Sequence, residues 1–130
     1  VITLHAPTDS EVDELTMRVD DAVHAVKSAA VHGVVPGGGL TLYNAREHVT
    51  SQHAGASIVR DALSKPIMQI IENCGSTVPS NLGGDIGYTN GTAEHIMNAG
   101  IMDPAQVVKC ALQHAASITG LVLTTSVIIK

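Results

Sequence analysis

The sequence predicts a mostly α-helical protein with a short strand near each end of the chain. Three long stretches repeat apolar residues every three or four positions, which is the spacing of one helix face. Phe and Trp are absent and Tyr occurs twice, so the core must be built from Val, Ile, Leu, Ala and Met, which suits closely packed helices. A chain of 130 residues is long enough to form one hydrophobic core.

The first helix is predicted between Thr8 and Gly33. The preceding VITLH alternates apolar and polar residues, which predicts a short N-terminal strand that Pro7 ends. Thr8 and Glu11 have the spacing of a capping box, and Gly33 is typical of a helix C-cap. The helix between them would span about 22 residues, or roughly 33 Å, which suits a strut that joins two regions.

A run of three glycines, Gly37 to Gly39, separates this helix from a short predicted helix at residues 40–48. Glycine inside a helix costs about 0.5–1 kcal/mol relative to alanine, so the run needs a physical reason. It is not a Walker A sequence, because no Lys-Ser or Lys-Thr follows, nor a G-x-G-x-x-G fingerprint. Two interpretations stay open at this point: a sharp turn between helices, or a backbone that a ligand approaches closely.

A second long helix is predicted after the polar connection TSQHAGAS. Apolar residues from Ile58 to Ile71 keep helical spacing, and Gly75 marks the end of the helix. Pro66 lies inside this pattern, and proline removes one helical hydrogen bond. The helix is therefore expected to be kinked or restarted at that residue.

The remaining third of the chain is predicted to contain turns and one more long helix. The segment GSTVPSNLGGDIGYTNGT predicts turns and a small hairpin around Tyr88, followed by a short helix at residues 93–98. Asp103 and Pro104 predict the start of the last helix, as its N-cap and its first helical residue. The end of LVLTTSVIIK is expected to form the C-terminal strand.

Composition argues against several classes of partner. The net charge is −5 with only seven Lys and Arg, which disfavours a nucleic-acid interface. No run approaches the roughly 18 apolar residues of a membrane span, so no membrane contact is expected. The N-terminus does not resemble a signal peptide, and a chain that starts at Val1 in a strand-like run suggests a piece of a longer protein.

Cysteine and histidine spacing predicts no metal site. Cys74 and Cys110 have no metal-ligand or redox spacing and are expected to be buried free thiols in a reducing compartment. Seven histidines are scattered along the chain without an H-x-x-x-H pair, which is typical of surface residues.

Three aspartates have both a structural and a functional interpretation. Asp20 and Asp21 lie inside the first predicted helix, where aspartate is a poor helix former. They either belong to a solvated face or place a carboxylate that orients an attacking water, as phosphoryl transfer requires. Asp103 is by default a helix cap, and a carboxylate there could also hold a sugar hydroxyl.

Several stretches together resemble the group I chaperonins, the GroEL-type heat-shock folding machines. RVDDAVHAVKSAAVHGVVPGGGLTLYNA resembles the family's helix and glycine turn around its catalytic aspartate, and KPIMQIIENCG resembles the helix that follows. AGIMDPAQVVKCALQHAASITGLVLTTSVII resembles the last long helix and the C-terminal strand. The similarity keeps one consistent order over nearly the whole chain, and its last stretch favours group I over group II.

The resemblance implies a role for particular residues. Asp21 falls on the aspartate that activates water for ATP hydrolysis. Gly37 and Gly38 fall on the glycine turn that lies against the ribose and base of the nucleotide. Asp103 matches the aspartate that holds the ribose hydroxyls, and Ile101 matches an apolar contact to adenine.

Asn90 sits where small residues normally meet adenine. The surrounding TNGTAEHIMNAG is about two residues shorter than is usual in the family, so this contact departs from the family pattern.

The resemblance also implies a domain organisation and partners. Residues 1–33 would be the returning segment of the intermediate domain, and residues 34–130 the C-terminal half of a helical equatorial ATP-binding domain. The parent protein would be an ATP-dependent folding chaperone of the cytoplasm, bacterial or phage-encoded, or of an organelle matrix. It would assemble into homo-oligomeric rings, and a missing apical domain would bind unfolded client proteins and a cochaperonin.

The parent would use ATP, Mg²⁺ and K⁺, but the family's Gly-Asp-Gly-Thr-Thr phosphate loop and its Mg²⁺-holding aspartate lie outside this chain. The isolated chain is therefore expected to hydrolyse ATP negligibly. A non-catalytic helical packing or oligomerisation module is the alternative. An unrelated phosphate-binding enzyme would need a Lys or Arg beside the glycines, and the nearest in sequence are Lys27 and Arg46.

Overall fold

The structure is a computed structural model that describes residues 1–127. Most of these residues are helical, which confirms the predicted mostly α fold class. In chain order the elements are α1 (Asp9–His32), β1 (Val34–Pro36), α2 (Leu40–Ala45), a 3₁₀ turn (Arg46–His48), α3 (Ala54–Asn73), β2 (Ile86–Thr89), β3 (Thr92–His95), β4 (Met102–Pro104) and α4 (Ala105–Thr124). Strand β1 pairs with β4, and β2 pairs with β3. The elements fall into two compact units, one made of residues 1–33 with the segment from 104 onward, the other of residues 34–103.

Helix α1 of the first unit begins and ends as its sequence predicts. The Thr8 hydroxyl accepts a hydrogen bond from the Glu11 backbone N–H at 3.4 Å, and the Glu11 carboxylate accepts one from the Thr8 N–H at 3.1 Å. At the other end Gly33 has a φ of 78° and donates its N–H to the carbonyl of Ala29 at 2.8 Å. This closed capping box and glycine C-cap define a helix of 24 residues.

The apolar faces of α1 and α4 are incompletely covered. The two helices contact each other, yet neither contains a buried residue. Met17 and Val26 on α1, and Leu121 and Leu123 on α4, are exposed, with Leu123 at 80%. Because burial of apolar surface provides most of the stability of a helix, these faces lack the contacts that normally hold such helices in place.

Helix α4 is more apolar than we expect from the sequence. By length and composition alone it reaches the threshold for a membrane-spanning helix, with a mean hydropathy of 1.3 over its apolar window. The expectation that no segment would reach that composition was therefore wrong. Helices that pack inside soluble proteins have the same composition.

The core of the second unit is one cluster of buried side chains from α2, α3, β2 and the turn after β3. Helix α3 presents Leu63, Ile67 and Ile71 at intervals of four residues, so that they share one face. Three partly buried apolar side chains border the cluster: Met68, Leu82 and Ile101. The buried cluster consists of Leu40, Tyr43, Ile67, Ile71, Tyr88 and Ile96.

Pro66 lies within α3 without restarting it. The helix runs from Ala54 to Asn73 in one piece, so of the two predicted alternatives, a kink or a restart, the restart does not occur. Burial of Leu63 before the proline and of Ile67 and Ile71 after it holds both halves against one core, which offsets the missing hydrogen bond.

The β2–β3 hairpin replaces the helix predicted at residues 93–98. Tyr88 pairs with Ala93 and Thr89 with Thr92, which leaves a loop of two residues. Asn90 and Gly91 have positive φ values of 49° and 85°, as a type I′ turn requires. Turn chemistry and cross-strand pairing thus override the local helical spacing, and the hairpin expected around Tyr88 is confirmed.

The strand expected at VITLH does not form, since residues 1–6 have no regular structure and pair with no strand among residues 1–127. At the other end α4 stops at Thr124, and residues 128–130, where the C-terminal strand was predicted, lie outside the described residues.

The start of α4 also differs from its prediction. Pro104, with extended backbone at φ −62° and ψ 128°, is the N-cap, and the helix begins at Ala105. Asp103 lies in β4 instead of capping the helix, because β1 and β4 pair at this point.

The two cysteines are free, as predicted, but they are not buried. Cys74 is exposed just beyond α3, and Cys110 is half-buried on α4.

Replacing Tyr88 with Phe is expected to stabilise the chain. The Tyr88 side chain is 4% exposed, and its buried hydroxyl has no hydrogen-bond partner among the residues that the structure describes. An unsatisfied buried hydroxyl costs about 1–3 kcal/mol, so Tyr88→Phe should raise the free energy of unfolding by about 1 kcal/mol in urea denaturation. Tyr43→Phe in the same cluster is the matched control. A loss of stability from Tyr88→Phe would show that the hydroxyl has a partner, and an equal gain from both variants would show that the gain does not come from an unsatisfied hydroxyl.

Candidate functional site

Gly37 lies in direct contact with Ile101. Its N–H donates to the Ile101 carbonyl at 3.0 Å. A Cβ atom at Gly37 would lie 3.0 Å from Ile101 Cγ2 and 3.2 Å from the Ile101 carbonyl carbon. Packing within the chain therefore accounts for the glycine at this position, and its amide is already used.

The backbone of helix α3 lies so close to residue 39 that only glycine fits there. A Cβ there would lie 2.9 Å from the Ile67 backbone nitrogen, a distance that side chains do not tolerate, and φ is 78°. Gly39 is also the N-cap of α2, where its carbonyl accepts a hydrogen bond from the Tyr43 N–H at 3.1 Å. The last glycine thus allows α2 to start directly against the backbone of α3, which supports the turn interpretation.

Gly38 is the glycine of the run whose surroundings leave room for a Cβ atom. Its φ is 62°, and a Cβ would meet Ile101, Ile96 and the Tyr88 carbonyl only at 3.9–4.0 Å, which is ordinary contact. Packing therefore explains Gly38 less than it explains its two neighbours, and the positive φ is what favours glycine there.

Asp103 and Ile101 lie at the strand that borders the glycine turn. Asp103 is in β4, which pairs with β1, and β1 leads directly into Gly37. Burial raises the pKa of the Asp103 carboxyl above its ordinary value, because the charged form loses solvation there. The second unit therefore brings together Gly37, Gly38 and Ile101, with Asp103 two residues further along the chain.

Asn90 and Asp21 occupy exposed positions. Asn90 is at the apex of the β2–β3 hairpin in the second unit. Asp21 lies on α1 in the first unit beside Asp20, and both are exposed. The nearby Arg18 pairs with Glu14 at 2.7 Å, one turn away.

Two residues that stabilise the second unit, Ile96 and Asn44, are not predicted from the sequence. Ile96 is fully buried against Gly87 and lies near Gly38, although the sequence predicts a helix there that does not form. Asn44 binds Gly84 twice, donating from Nδ2 to its carbonyl at 2.7 Å and accepting at Oδ1 from its N–H at 3.0 Å. Asn90-Gly91 between Tyr88 and Thr92 was the signal for the hairpin, whereas no sequence signal points to Asn44.

Two surface depressions in the first unit contain no predicted site residue. One of about 350 Å³ is lined by residues including His5, Glu11 and Arg18, and one of about 430 Å³ by Ile2 and apolar residues of α1. Within residues 1–127, no group of three or more His, Cys, Asp or Glu side chains is arranged to hold a metal ion.

The chain is similar to known proteins over its whole length. A family model described as the TCP-1/cpn60 chaperonin family matches residues 1–130. A protein named chaperonin GroEL, from Methanospirillum hungatei JF-1, is 39% identical over 144 residues. The alignment covers 99% of this chain and 27% of the relative, so the chain spans about a quarter of the relative's length.

Alanine substitutions in the glycine run are expected to distinguish the stability cost of a close contact from the stability cost of a left-handed backbone. Gly38→Ala should cost about 1–2 kcal/mol, the price of a left-handed conformation for a residue with a Cβ. Gly39→Ala adds a clash with the Ile67 backbone and should cost about 1–3 kcal/mol more. Urea denaturation of both variants measures the difference. Equal losses would contradict the close contact between Gly39 and α3.

Asp103→Asn is expected to stabilise the chain at neutral pH and to have little effect in acid. Because the folded pKa of Asp103 is raised, the folded state binds its proton more tightly than the unfolded state does. Stability from this group is therefore present below the ordinary pKa of aspartate and is lost as the pH rises through the folded pKa. Urea midpoints measured from acidic to neutral pH test this, with the exposed Asp20→Asn as the charge-removal control. A pH-independent effect of Asp103→Asn would contradict it.

Proposed function

Because the chain belongs to the TCP-1/cpn60 chaperonin family, we propose that it supplies the catalytic aspartate and the nucleoside contacts of the ATP site in a GroEL-type folding chaperone. The family is generally ATP-dependent. The observation that best supports this assignment is that Gly37 binds Ile101 and Gly38 lies beside it, on the segment that leads to Asp103.

The nucleoside side of the proposed site uses three kinds of contact. The bare backbone at Gly38 and the apolar side chain of Ile101 would pack against the base and ribose. The Asp103 carboxylate would accept hydrogen bonds from the ribose hydroxyls, and a half-buried carboxylate binds such donors more strongly than an exposed one. Gly37 offers no free N–H, so its contribution would come from its shape alone. Asn90 would approach from the hairpin apex.

Asp21 would act on the phosphate side. A carboxylate that orients and deprotonates the attacking water typically contributes about 10²–10⁴-fold to the rate. Its exposed position on α1 leaves its oxygens accessible to water and ligand.

Mg²⁺ and K⁺ do not fit a site formed by the described residues alone, since these contain no suitable cluster of ligands. In the proposed parent protein, Mg²⁺ would neutralise phosphate charge with ligands from outside this chain.

The wider assignment concerns the parent protein. Residues 1–33 would belong to an intermediate domain and residues 34–130 to an equatorial domain. The parent would form homo-oligomeric rings that bind unfolded proteins and a cochaperonin, in the cytoplasm or an organelle matrix, without nucleic-acid or membrane partners. This extends beyond the quarter of a relative's length that the chain spans.

A second function, a helical packing module without ATP turnover, is favoured by a different observation. Helices α1 and α4 contain no buried residue and expose large apolar side chains. Such faces would bind other helices of an assembly whether or not ATP is hydrolysed.

If the ATP-site proposal is correct, two aspartate variants are expected to impair different steps, one ATP hydrolysis and the other ATP binding. The host is a chimera in which this chain replaces the matching segment of the Methanospirillum hungatei relative. Asp21→Asn should lower ATP hydrolysis by about 10²–10⁴-fold and leave ATP binding intact, because the carboxylate acts on water. Asp103→Asn should chiefly weaken ATP binding, because an amide replaces a charged acceptor.

The matched control is Asp20→Asn, which removes the same charge from the adjacent position, about 100° around the helix. It should preserve turnover. Equal losses from Asp20→Asn and Asp21→Asn would favour the packing module, as would an active chimera that neither Asp21→Asn nor Asp103→Asn impairs. The isolated chain should show no turnover.

A further inference from the structure

Asn90 is the one asparagine of this chain that glycine follows. Five asparagines occur, and the others precede Ala, Cys, Leu and Ala. Succinimide formation requires the next residue's backbone nitrogen to reach the asparagine side-chain amide carbon, and a side chain on that next residue hinders the approach. Gly91 has none, so the sequence places the least hindered asparagine at this position.

The fold keeps this pair accessible. Asn90 and Gly91 are both exposed at the hairpin apex, and the last paired residues of the ladder are Thr89 and Thr92. The two-residue loop therefore lies outside the β-ladder, with φ values of 49° and 85°.

We propose that Asn90 is a site of spontaneous deamidation, a covalent modification that proceeds without a cofactor. The Gly91 nitrogen loses its proton and attacks Cγ of Asn90, and ammonia leaves as the new C–N bond closes a succinimide. Water then adds to one of the two ring carbonyls and opens the ring. The net change exchanges the amide NH₂ for a carboxylate oxygen, with no oxidation or reduction. The products are aspartate or isoaspartate at position 90.

The hairpin gives these products different structural consequences. Aspartate keeps the turn, because Asp-Gly also favours a type I′ loop. Isoaspartate lengthens the main chain by one carbon, which a two-residue loop cannot absorb without breaking the Thr89–Thr92 pair. Since a shift in register reverses the faces of a strand, the buried Tyr88 would lose its place opposite Ala93. Isoaspartate should therefore destabilise the second unit, whereas aspartate should not.

The experiment incubates the purified 130-residue chain in warm, mildly alkaline buffer and follows each asparagine by peptide mass spectrometry. Conversion at Asn90 should be several-fold faster than at Asn98 or Asn81, which are internal controls in the same digest. In Asn90→Gln the conversion at position 90 should disappear, because the longer glutamine side chain cannot form the five-membered succinimide ring. Equal rates at Asn90 and Asn98 in the unmodified chain would overturn the proposal, whether or not Asn90→Gln folds.

A second measurement tests the structural consequence. Isoaspartyl chains, identified by labelling with an isoaspartyl methyltransferase and separated by ion exchange, should unfold at a lower urea concentration than the parent. Asn90→Asp, which mimics the other product, should keep the parent's midpoint. Equal midpoints for the isoaspartyl and parent chains would overturn the role of the hairpin. Both measurements are made without nucleotide, so they test the modification of Asn90 separately from its proposed contact with the base, and failure of either proposal can be distinguished from failure of the other.

Discussion

The second unit depends on the approach of the Gly39 backbone to helix α3. At this point α2 begins against the Ile67 backbone with no room for a Cβ atom. That approach lets Leu40 and Tyr43 of α2 enter the same cluster as Ile67 and Ile71. Because buried side chains at native packing density have little freedom to move, the positions of β1 and the glycine turn follow from it.

The candidate nucleoside contacts are built on this packed base. Ile101 borders the cluster and binds Gly37, while Ile96 and the Tyr88 carbonyl lie beneath Gly38. The glycine turn is therefore held by the core on one side. Packing and ligand approach are not competing explanations for the whole run: the former accounts for Gly37 and Gly39, and the latter is proposed for Gly38.

The two units differ in how completely they bury their apolar residues. All the buried apolar side chains among the described residues lie within residues 34–103, whereas α1 and α4 have none. Local signals are nevertheless strong in α1, where the capping box and the Gly33 C-cap define both ends. A helix can thus be well specified by its own sequence and still need a partner to cover its apolar face.

The sequence by itself determined the long helices, their caps near Thr8 and Gly33, the short helix after the glycines and the family. The helices and caps rest on contacts within a few residues, which spacing reveals, whereas the family rests on the resemblance of several stretches to known chaperonins. Only the tertiary structure decided that residues 92–95 form a strand, that Asp103 lies in β4, that Ile96 packs near Gly38, and that Asn44 binds Gly84. The physical reason is that these outcomes depend on pairing and packing between residues distant in the chain, and local preferences do not encode which distant backbone will be near.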